Sequence, residues 1–347
     1  MITATLPTRQ QTSVRWQTEM AQAIGSPEAL VEALGLDRSL IEPARVAAAK
    51  FGLRVPLGYL ARMRRGDPHD PLLKQVLPIA AEGELAPDFG PDPVGESAAR
   101  RAPGLLQKYR GRALLITTSA CAIHCRYCFR REFPYSDQQG DSTRFREALD
   151  EIASDASLEE IILSGGDPLS LSDSRLTSLT DALASIPHVR RLRLHTRHPV
   201  VLPSRVDAGL IAWLERLPWP VVFVLHANHA NEIDDSVRAA CARLKERGAT
   251  LLNQTVLLKG VNDDARTLAE LSRVLFESGV LPYYLHVLDR VSGAAHFDLP
   301  EARAREIAGE LAASMPGYLV PRLVREVEGA PAKLTLPPRF PATPLPK

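Results

Sequence analysis

The sequence has 347 residues, of which 45% are hydrophobic, enough for a barrel-sized domain with an extension. Its 42 lysines and arginines nearly balance its 41 aspartates and glutamates, and a net charge of +1 disfavours nucleic acids and anionic membranes as partners. Residues 1–22 lack the pattern of a secretory signal, and no apolar run reaches membrane-spanning length. We therefore expect a cytoplasmic protein without a nucleic-acid or membrane partner.

The first part of the chain is predicted to be helical. Residues 15–65 show helical patterning, and at 27–35 a proline begins and a glycine ends one such helix. Between 66 and 105 prolines and glycines are dense, so we expect a long connector that crosses the surface of the next domain. We predict three parts: a helical region with its connector at 1–105, an α/β domain at 106–300 and a C-terminal segment at 301–347.

Strand-like and helix-like runs alternate after the connector. Apolar runs predict strands at 113–118, 160–163, 190–196, 221–226, 251–257 and 282–287. Their near-constant spacing implies parallel strands joined by helical crossovers. A partial (β/α)6 barrel and a doubly wound open sheet both fit this α/β pattern. We favour the barrel because the chemically functional residues fall at the carboxyl ends of successive strands, where barrel active sites are built.

Three of the four cysteines, Cys121, Cys125 and Cys128, lie close together just after the first predicted strand. Thiolates on a short loop hold iron–sulfur clusters, and three ligands for four irons leave one iron open to a small molecule. A structural zinc site is the alternative, but it needs a fourth ligand, and the nearby candidate His124 lies inside the loop. The remaining cysteine, Cys241, is predicted to be a core residue.

Two other motifs carry weaker signals. The run LSGGD at 163–167 follows the second predicted strand, and its adjacent glycines allow a ligand to approach the backbone closely, although a tight turn uses the same residues. Near the C-terminus a loop of small residues ends in Lys333. Its amine can bind pyridoxal phosphate (PLP) covalently, whereas a solvated loop lysine is the simpler interpretation.

The cysteine spacing, with an aromatic residue before the last cysteine, resembles the radical S-adenosylmethionine (SAM) superfamily. That resemblance implies a partial (β/α)6 barrel and a 4Fe–4S cluster whose open iron binds SAM for reductive cleavage to a deoxyadenosyl radical. Within the superfamily, residues 50 to 336 resemble the lysine 2,3-aminomutase family. The matching runs, in chain order, are GDPHDPLLKQ at 66–75, LSGGD at 163–167, TRHPVVLP at 196–203, HANHANE at 226–232, NQTVLLKGVND at 253–263 and PYY at 282–284.

The family resemblance assigns roles at the substrate and at PLP. It implies that Lys333 binds PLP and that Arg130 binds the carboxylate of L-lysine by a bidentate pair. Asp289 and Glu326 fall where the family has two carboxylates that hold the substrate ε-ammonium. Position 326 is normally aspartate, so the longer glutamate is a departure that affects the grip on free lysine.

Other residues are candidates for holding the cofactors. By resemblance Gly165, Gly166 and Asp167 contact the methionyl amine of SAM, with aspartate in place of the usual glutamate. Gln254 and His226, at or near strand ends, are candidate SAM or cofactor contacts, or else polar residues of the barrel mouth. The candidates for the PLP phosphate are basic residues that are otherwise simply solvated: Lys108, Arg112 and Arg197.

The lysine-bearing loop also lacks the run of glycines that is usual in the family. This departure and the one at 326, together with the short C-terminus, resemble the subfamily that prepares (R)-β-lysine for elongation factor P. The resemblance implies an isomerase, L-lysine as substrate, a functional link to elongation factor P and its lysyl ligase, and a reductant such as flavodoxin or ferredoxin. The alternatives are a catabolic aminomutase acting on free lysine, a radical SAM enzyme without PLP, and a non-enzymatic Fe–S electron carrier or sensor.

Overall fold

The computed structural model describes residues 16–135 and 142–342. Helices make up the N-terminal layer, as predicted, and one more follows in the connector: α1 Trp16–Ala21, α2 Pro27–Leu34, α3 Ile41–Lys50, α4 Leu57–Leu60 and α5 Pro71–Lys74. The helix predicted at 27–35 has Ser26 as its N-cap, accepting from the Ala29 amide, and Pro27 in its first turn. Gly35 ends it in the left-handed conformation at φ 63°.

One mixed sheet of ten strands dominates the described part of the chain, in the spatial order β1 to β10. The pairings from β3 to β9 are parallel, while β1–β2, β2–β3 and β9–β10 are antiparallel. The order does not close on itself, so the α/β fold with a partial barrel is confirmed. The strands are β1 Arg100–Ala102, β2 Leu105–Tyr109, β3 Arg112–Thr118, β4 Glu160–Gly165, β5 Arg191–Thr196, β6 Val221–Leu225, β7 Thr250–Val256, β8 Leu281–His286, β9 Arg322–Arg325 and β10 Leu334–Thr335.

All six predicted strands are present as β3 to β8, and the sequence analysis missed the strands that flank them. The most important omission is β9, which pairs in parallel with β8 and continues the barrel by one strand. Its sequence is Arg-Leu-Val-Arg, and two apolar residues between arginines are too short a run to predict a strand. The predicted division at 106 and 300 remains a prediction, although β2 and β9 join the same sheet as the strands between them.

Helices join the successive parallel strands. Their bounds are α6 Ser142–Ser154, α7 Asp173–Ala184, α8 His198–Val201, α9 Ala208–Glu215, α10 Asp235–Glu246, α11 Ala265–Glu277 and α12 Glu301–Ser314, with short 3-10 turns at Arg38–Leu40, Ala80–Gly83, Pro168–Ser170, Pro203–Arg205, Ala230–Glu232, Ala295–Phe297 and Gly317–Leu319. Acidic N-caps begin several of them, as Asp264 does for α11. Cys241 on α10 is buried in the main apolar core, as predicted.

The connector at 66–105 differs from the predicted surface crossing because several of its polar side chains are buried. Asp70 is fully buried and caps α5 by accepting from the amides of Leu72 and Leu73. Gln75, Glu82 and Glu96 are also buried, each against a side chain from a later part of the chain. A buried carboxylate is stable only when it is paired, so these residues tie the connector to the barrel.

Across the described residues, no helix is both long and apolar enough to cross a membrane.

Candidate active site

A cavity of about 600 Å³ lies at the carboxyl ends of the parallel strands. This volume is within the range of cofactor and ligand sites, and barrel active sites lie at this end. Every candidate site residue of the sequence analysis lines it: Lys108, Arg112, Cys121, Cys125, Cys128, Arg130, Gly165, Gly166, Asp167, Arg197, His226, Gln254, Asp289, Glu326 and Lys333. The fold therefore brings together the cysteine loop and the C-terminal lysine loop, which are more than 200 residues apart in the sequence.

The cysteine loop follows β3, and its three thiols are half-buried and unpaired. Burial raises the pKa of Cys128 to about 11 and that of Cys121 above its usual range, so thiolates here need a bound cation. No three His, Cys, Asp or Glu side chains of the described residues are arranged to hold a single metal ion. The ligands of a 4Fe–4S cluster do not have to point at one metal ion, because each thiolate binds a different iron.

His124, the fourth ligand in the zinc alternative, contacts the N-terminal layer. Its Nδ1 lies 2.9 Å from the carbonyl oxygen of Gly52, and its ring packs on Phe51 with centroids 5.3 Å apart. Burial lowers the pKa of His124 and keeps the ring neutral. The side chain is therefore already engaged in fixing the loop against the N-terminal layer.

Gly165 and Gly166 end β4 where it meets the cysteine loop. A Cβ on Gly166 would lie 2.5 Å from the Ala120 carbonyl oxygen, and one on Gly165 would lie 2.6 Å from that of Thr118. Gly165 also has a φ of 116°, which favours glycine. The Gly166 amide donates to Thr118 O at 2.7 Å. These glycines are thus required for close packing of the cysteine loop on β4.

Asp167 is buried and uses both carboxylate oxygens within the protein. Oδ1 accepts from Thr196 Oγ1 at 2.7 Å and from the Leu169 amide at 3.0 Å, while Oδ2 accepts from the Arg197 amide at 2.6 Å. His198 Nδ1 lies 2.9 Å from Oδ2. Burial opposes ionisation, but these partners outweigh it and lower the Asp167 pKa. Asp167 therefore orients the turn after β5, and its contact with SAM stays a prediction.

Arg197 lies at the cysteine loop, and its contact with the PLP phosphate stays a prediction. Its Nη1 donates to Cys125 Sγ at 2.7 Å, and its Nη2 donates to Glu232 Oε2 at 2.7 Å and to Gln75 Oε1 at 2.8 Å. In the described structure this guanidinium therefore already has a thiol and a buried carboxylate as partners.

Arg130 is buried in a bidentate pair with Glu96, which the sequence analysis did not identify. Arg130 Nε and Nη2 donate to Glu96 at 2.8 and 2.6 Å, and Nη1 donates to Ser164 Oγ at 2.9 Å. Burial disfavours the cation, but Glu96 more than offsets this and raises the Arg130 pKa. The pair fixes the guanidinium at the cavity wall, where Nη1 faces the end of β4.

Lys333, Glu326 and Lys108 form a chain of charges in the same cavity. Glu326 accepts from Lys333 Nζ through one oxygen and from Lys108 Nζ at 2.7 Å through the other. Although burial opposes it, these two ammonium groups lower the Glu326 pKa to about 2. Burial, with the Glu326 charge added, raises the pKa of Asp289 to about 7.

The two other candidate ligands of the PLP phosphate differ in whether their side chains already have a charged partner. Lys108 is bound to Glu326 and to the Val94 carbonyl oxygen at 2.8 Å, so its ammonium is already occupied. Arg112 lies over the Tyr109 ring at 4.6 Å and forms no salt bridge with an acidic side chain of the described residues. Of the three basic candidates, Arg112 is the one whose charge is open to an anion in the cavity.

Three neutral histidines line the cavity. His226 Nε2 lies 2.8 Å from Gln254 Nε2, so the two predicted cofactor contacts form one pair. Burial lowers the pKa of His226 to about 4 and that of His286 to about 3. The sequence analysis missed His195 and His286, whose buried Nε2 atoms have no hydrogen-bond partner in the described structure. The sequence signal that could have identified these two histidines was their position within predicted strands, β5 and β8.

Other residues missed at the sequence level lie inside the motifs that carried the resemblance. Gln75 ends the first matching run, and Asn228 and Glu232 belong to the run that follows β6. Asn228 Nδ2 donates to Gln75 Oε1 at 3.0 Å and to Tyr127 OH at 2.6 Å. The motifs identified these positions, but only the fold shows that they form one buried network beside the cysteines.

The chain is similar to several known proteins. The model of the radical SAM superfamily matches residues 115–271. The L-lysine 2,3-aminomutase of Escherichia coli (strain K12) is 46% identical over 337 residues, which cover 97% of each chain. That of Clostridium subterminale is 34% identical over 326 residues, covering 94% of this chain and 78% of that protein. A radical SAM methyltransferase structure from Sphaerobacter thermophilus has a TM-score of 0.41 and 19% identity over 64% of this chain and 68% of that chain.

The match to the Escherichia coli protein covers 97% of this chain and so extends well beyond the cysteine loop. The resemblance found in the sequence is thereby confirmed. This chain belongs to the L-lysine 2,3-aminomutase family of radical SAM isomerases, whose cofactors include a 4Fe–4S cluster and SAM.

Proposed function

We propose that this chain converts L-lysine to (R)-β-lysine with a 4Fe–4S cluster, SAM and PLP. The observation that carries the proposal is a single cavity that both the three cysteines and Lys333 line. A radical generated at the cluster would therefore arise in the same enclosed cavity as an amino acid held near Lys333. Enclosure matters because a reactive radical must be kept from water and from side reactions.

In this proposal Cys121, Cys125 and Cys128 each bind one iron and leave the fourth open for SAM. The placement of the three thiols on one short loop that lines the cavity supports it. The backbone at Gly165 and Gly166 and the pair of His226 and Gln254 are the proposed SAM contacts. These residues lie at the ends of β4, β6 and β7 beside the cysteine loop.

Lys333 is the proposed covalent site of PLP, which supplies electron delocalisation during the migration of nitrogen. In the structure without PLP, Lys333 Nζ is paired with the Glu326 carboxylate, which stays charged because its pKa is about 2. Reaction with an aldehyde needs the free amine, so Lys333 has to give up a proton and its contact with Glu326. Arg112 is the proposed phosphate ligand because its guanidinium lacks an acidic partner in the described structure.

The cavity contains a cation and acidic groups that complement the carboxylate and the ε-ammonium of L-lysine. Arg130, fixed by Glu96, presents a cation for the substrate carboxylate, and Asp289 with Glu326 presents acid for the ε-ammonium. Asp289 has a pKa of about 7, so an arriving ammonium group favours its ionised form. Glu326 starts in contact with two lysines, and a substrate ammonium replaces Lys333 there once PLP is bound.

We further propose that the product is made for elongation factor P in the cytoplasm, with its lysyl ligase as the next enzyme and flavodoxin or ferredoxin as reductant. The support is the resemblance of Glu326 and of the lysine-bearing loop to that subfamily. The test supplies the reaction product to purified ligase and elongation factor P and measures the mass of the latter. Modification of elongation factor P supports the link, whereas β-lysine that the ligase rejects supports the catabolic alternative.

PLP dependence has its own test. Purified protein is incubated with PLP and borohydride, digested, and analysed by mass spectrometry. We expect a pyridoxyl adduct on Lys333 and no activity in Lys333→Ala. A Lys333→Ala variant with full activity would support a radical SAM reaction without PLP. Cluster spectra that do not change when SAM is added would support an electron carrier or sensor.

A further inference from the structure

We propose that Arg197 sets the reduction potential of the cluster by placing a hydrogen bond and a fixed positive charge on Cys125. The inference rests on the proposed function in one respect, that Cys125 is a ligand of the cluster. It does not depend on PLP or on the identity of the substrate. Arg197 comes from the turn after β5 and reaches across the cavity wall to the cysteine loop.

The contact is direct and its geometry is fixed. Arg197 is 5% exposed, and its Nη1 lies 2.7 Å from Cys125 Sγ. The other terminal nitrogen, Nη2, donates to Glu232, to Gln75 and, at 3.2 Å, to Tyr59 OH. The two terminal nitrogens therefore have different functions: one contacts sulfur, and the other is anchored to the N-terminal layer and to the turn after β6.

The anchor is itself rigid. Glu232 is fully buried, and its second oxygen accepts from the amides of Asn228 at 2.8 Å and His229 at 3.1 Å. The Arg197 backbone amide donates to Asp167 at 2.6 Å, which fixes the start of the side chain as well. With both ends held, the guanidinium cannot move away from Cys125 without breaking buried charge-assisted hydrogen bonds.

Hydrogen bonds to the cysteine sulfurs and local charge are among the factors that set the potentials of Fe–S clusters. Reduction adds one electron, so a nearby cation stabilises the reduced cluster more than the oxidised one. A guanidinium stays protonated across the accessible pH range, and Nη2 of Arg197 lies 2.7 Å from the carboxylate of Glu232. The charge is thus permanent, and Glu232 reduces its effect.

Two substitutions should move the potential in opposite directions. Arg197→Gln removes the cation and should make reduction harder by tenfold or more, a shift of about 59 mV to more negative potential for a one-electron couple. Glu232→Gln removes the opposing charge and should move the potential to a more positive value. Arg205→Gln is the matched control, because Arg205 is also fully buried but contacts Asp173 and the Leu169 carbonyl oxygen, not sulfur.

The measurement is a redox titration of anaerobically reconstituted protein, followed by electron paramagnetic resonance, without SAM, PLP or lysine. Iron content and the denaturation midpoint are determined for each variant. Arg197→Gln with full iron and an unchanged potential would overturn the inference, as would an unchanged potential in Glu232→Gln if Arg197→Gln does not fold. A Cys125→Ala protein that keeps a complete, SAM-responsive cluster would instead overturn the ligand assignment in the proposed function.

Discussion

Asp289 and Glu326 lie near the same lysine but hold different charges at neutral pH. Two ammonium groups lower the Glu326 pKa to about 2 in spite of burial, whereas burial and the Glu326 charge raise that of Asp289 to about 7. One negative charge in this part of the cavity is therefore permanent, and the second depends on pH. A site that binds an ammonium group should show this dependence in its kinetics.

We expect kcat/KM for lysine to rise with pH through about 7. Below that value Asp289 is protonated in the free enzyme, because its folded pKa lies above the ordinary 3.8, and it cannot pair with an ammonium group. In Asp289→Asn this rise should disappear and kcat/KM should be low throughout. The measurement is a pH profile of kcat/KM for both proteins over roughly pH 5.5 to 8.5, a range that brackets the pKa of Asp289. A rise that persists unchanged in Asp289→Asn would show that another group is responsible.

Glu326→Gln should raise KM for lysine by about tenfold, which corresponds to ~1.4 kcal/mol of binding free energy. The substitution removes the permanent negative charge that Lys108 and Lys333 now share. Glu328→Gln is the matched control, since Glu328 is exposed two residues further along the same loop. Steady-state kinetics of both variants decide the point, and equal KM values would remove Glu326 from substrate binding.

At the scale of elements, what could be predicted depended on apolar content. Strands β3, β4 and β6 carry runs of buried apolar residues, and β5 and β7 bury alternate residues, so their existence and order followed from the sequence. Strand β9, with arginine at both ends, has no such run, and it became a strand because β8 offers it an edge. The connector was expected at the surface, since nothing local shows that Glu82 and Glu96 meet arginines from the cysteine loop.

The packing of β4 on the cysteine loop predicts that Gly166→Ala will lose the cluster. A Cβ there would lie 2.5 Å from a backbone oxygen of the loop that carries Cys121, so the loop must shift. Overpacking of this kind costs about 1–3 kcal/mol. Gly58→Ala is the control, because Gly58 lies in helix α4 with open space around it.

Iron per chain and the urea midpoint should fall together in Gly166→Ala and stay unchanged in Gly58→Ala. If Gly166→Ala bound its full complement of iron, close packing would not be the reason for this glycine.

Across the whole molecule, the sequence analysis predicted the members of the site better than their partners. All fifteen candidate residues line one cavity, since motifs at strand ends converge in a barrel. The hydrogen-bond partners of these side chains could not be predicted. Arg197 contacts Cys125 and Lys108 contacts Glu326, and each contact joins segments far apart in the sequence. Local patterns specify which strand end a residue occupies, but the direction of a long side chain depends on neighbours that only the fold supplies.

The connector and the cysteine loop should unfold as one unit, because a buried ion pair joins them. Arg126, in the loop, donates to Glu82 at 2.8 Å through Nε, and Arg131 donates to the same carboxylate at 2.7 Å. Replacing one partner of a buried pair typically costs about 3–5 kcal/mol. We expect Glu82→Gln to lose about that much stability in urea unfolding and Glu84→Gln, exposed in the same segment, to lose little. Similar midpoints in the two variants would contradict this coupling.

The central claim is that a cluster beside Cys125 and a PLP bound to Lys333 act on one amino acid in a shared cavity. The most direct measurement is a product analysis of anaerobically reconstituted protein incubated with L-lysine, SAM, PLP and dithionite. The account predicts β-lysine from the native protein and none from Cys125→Ala or Lys333→Ala. Native protein that holds its cluster and PLP and cleaves SAM, yet forms no β-lysine, would contradict it.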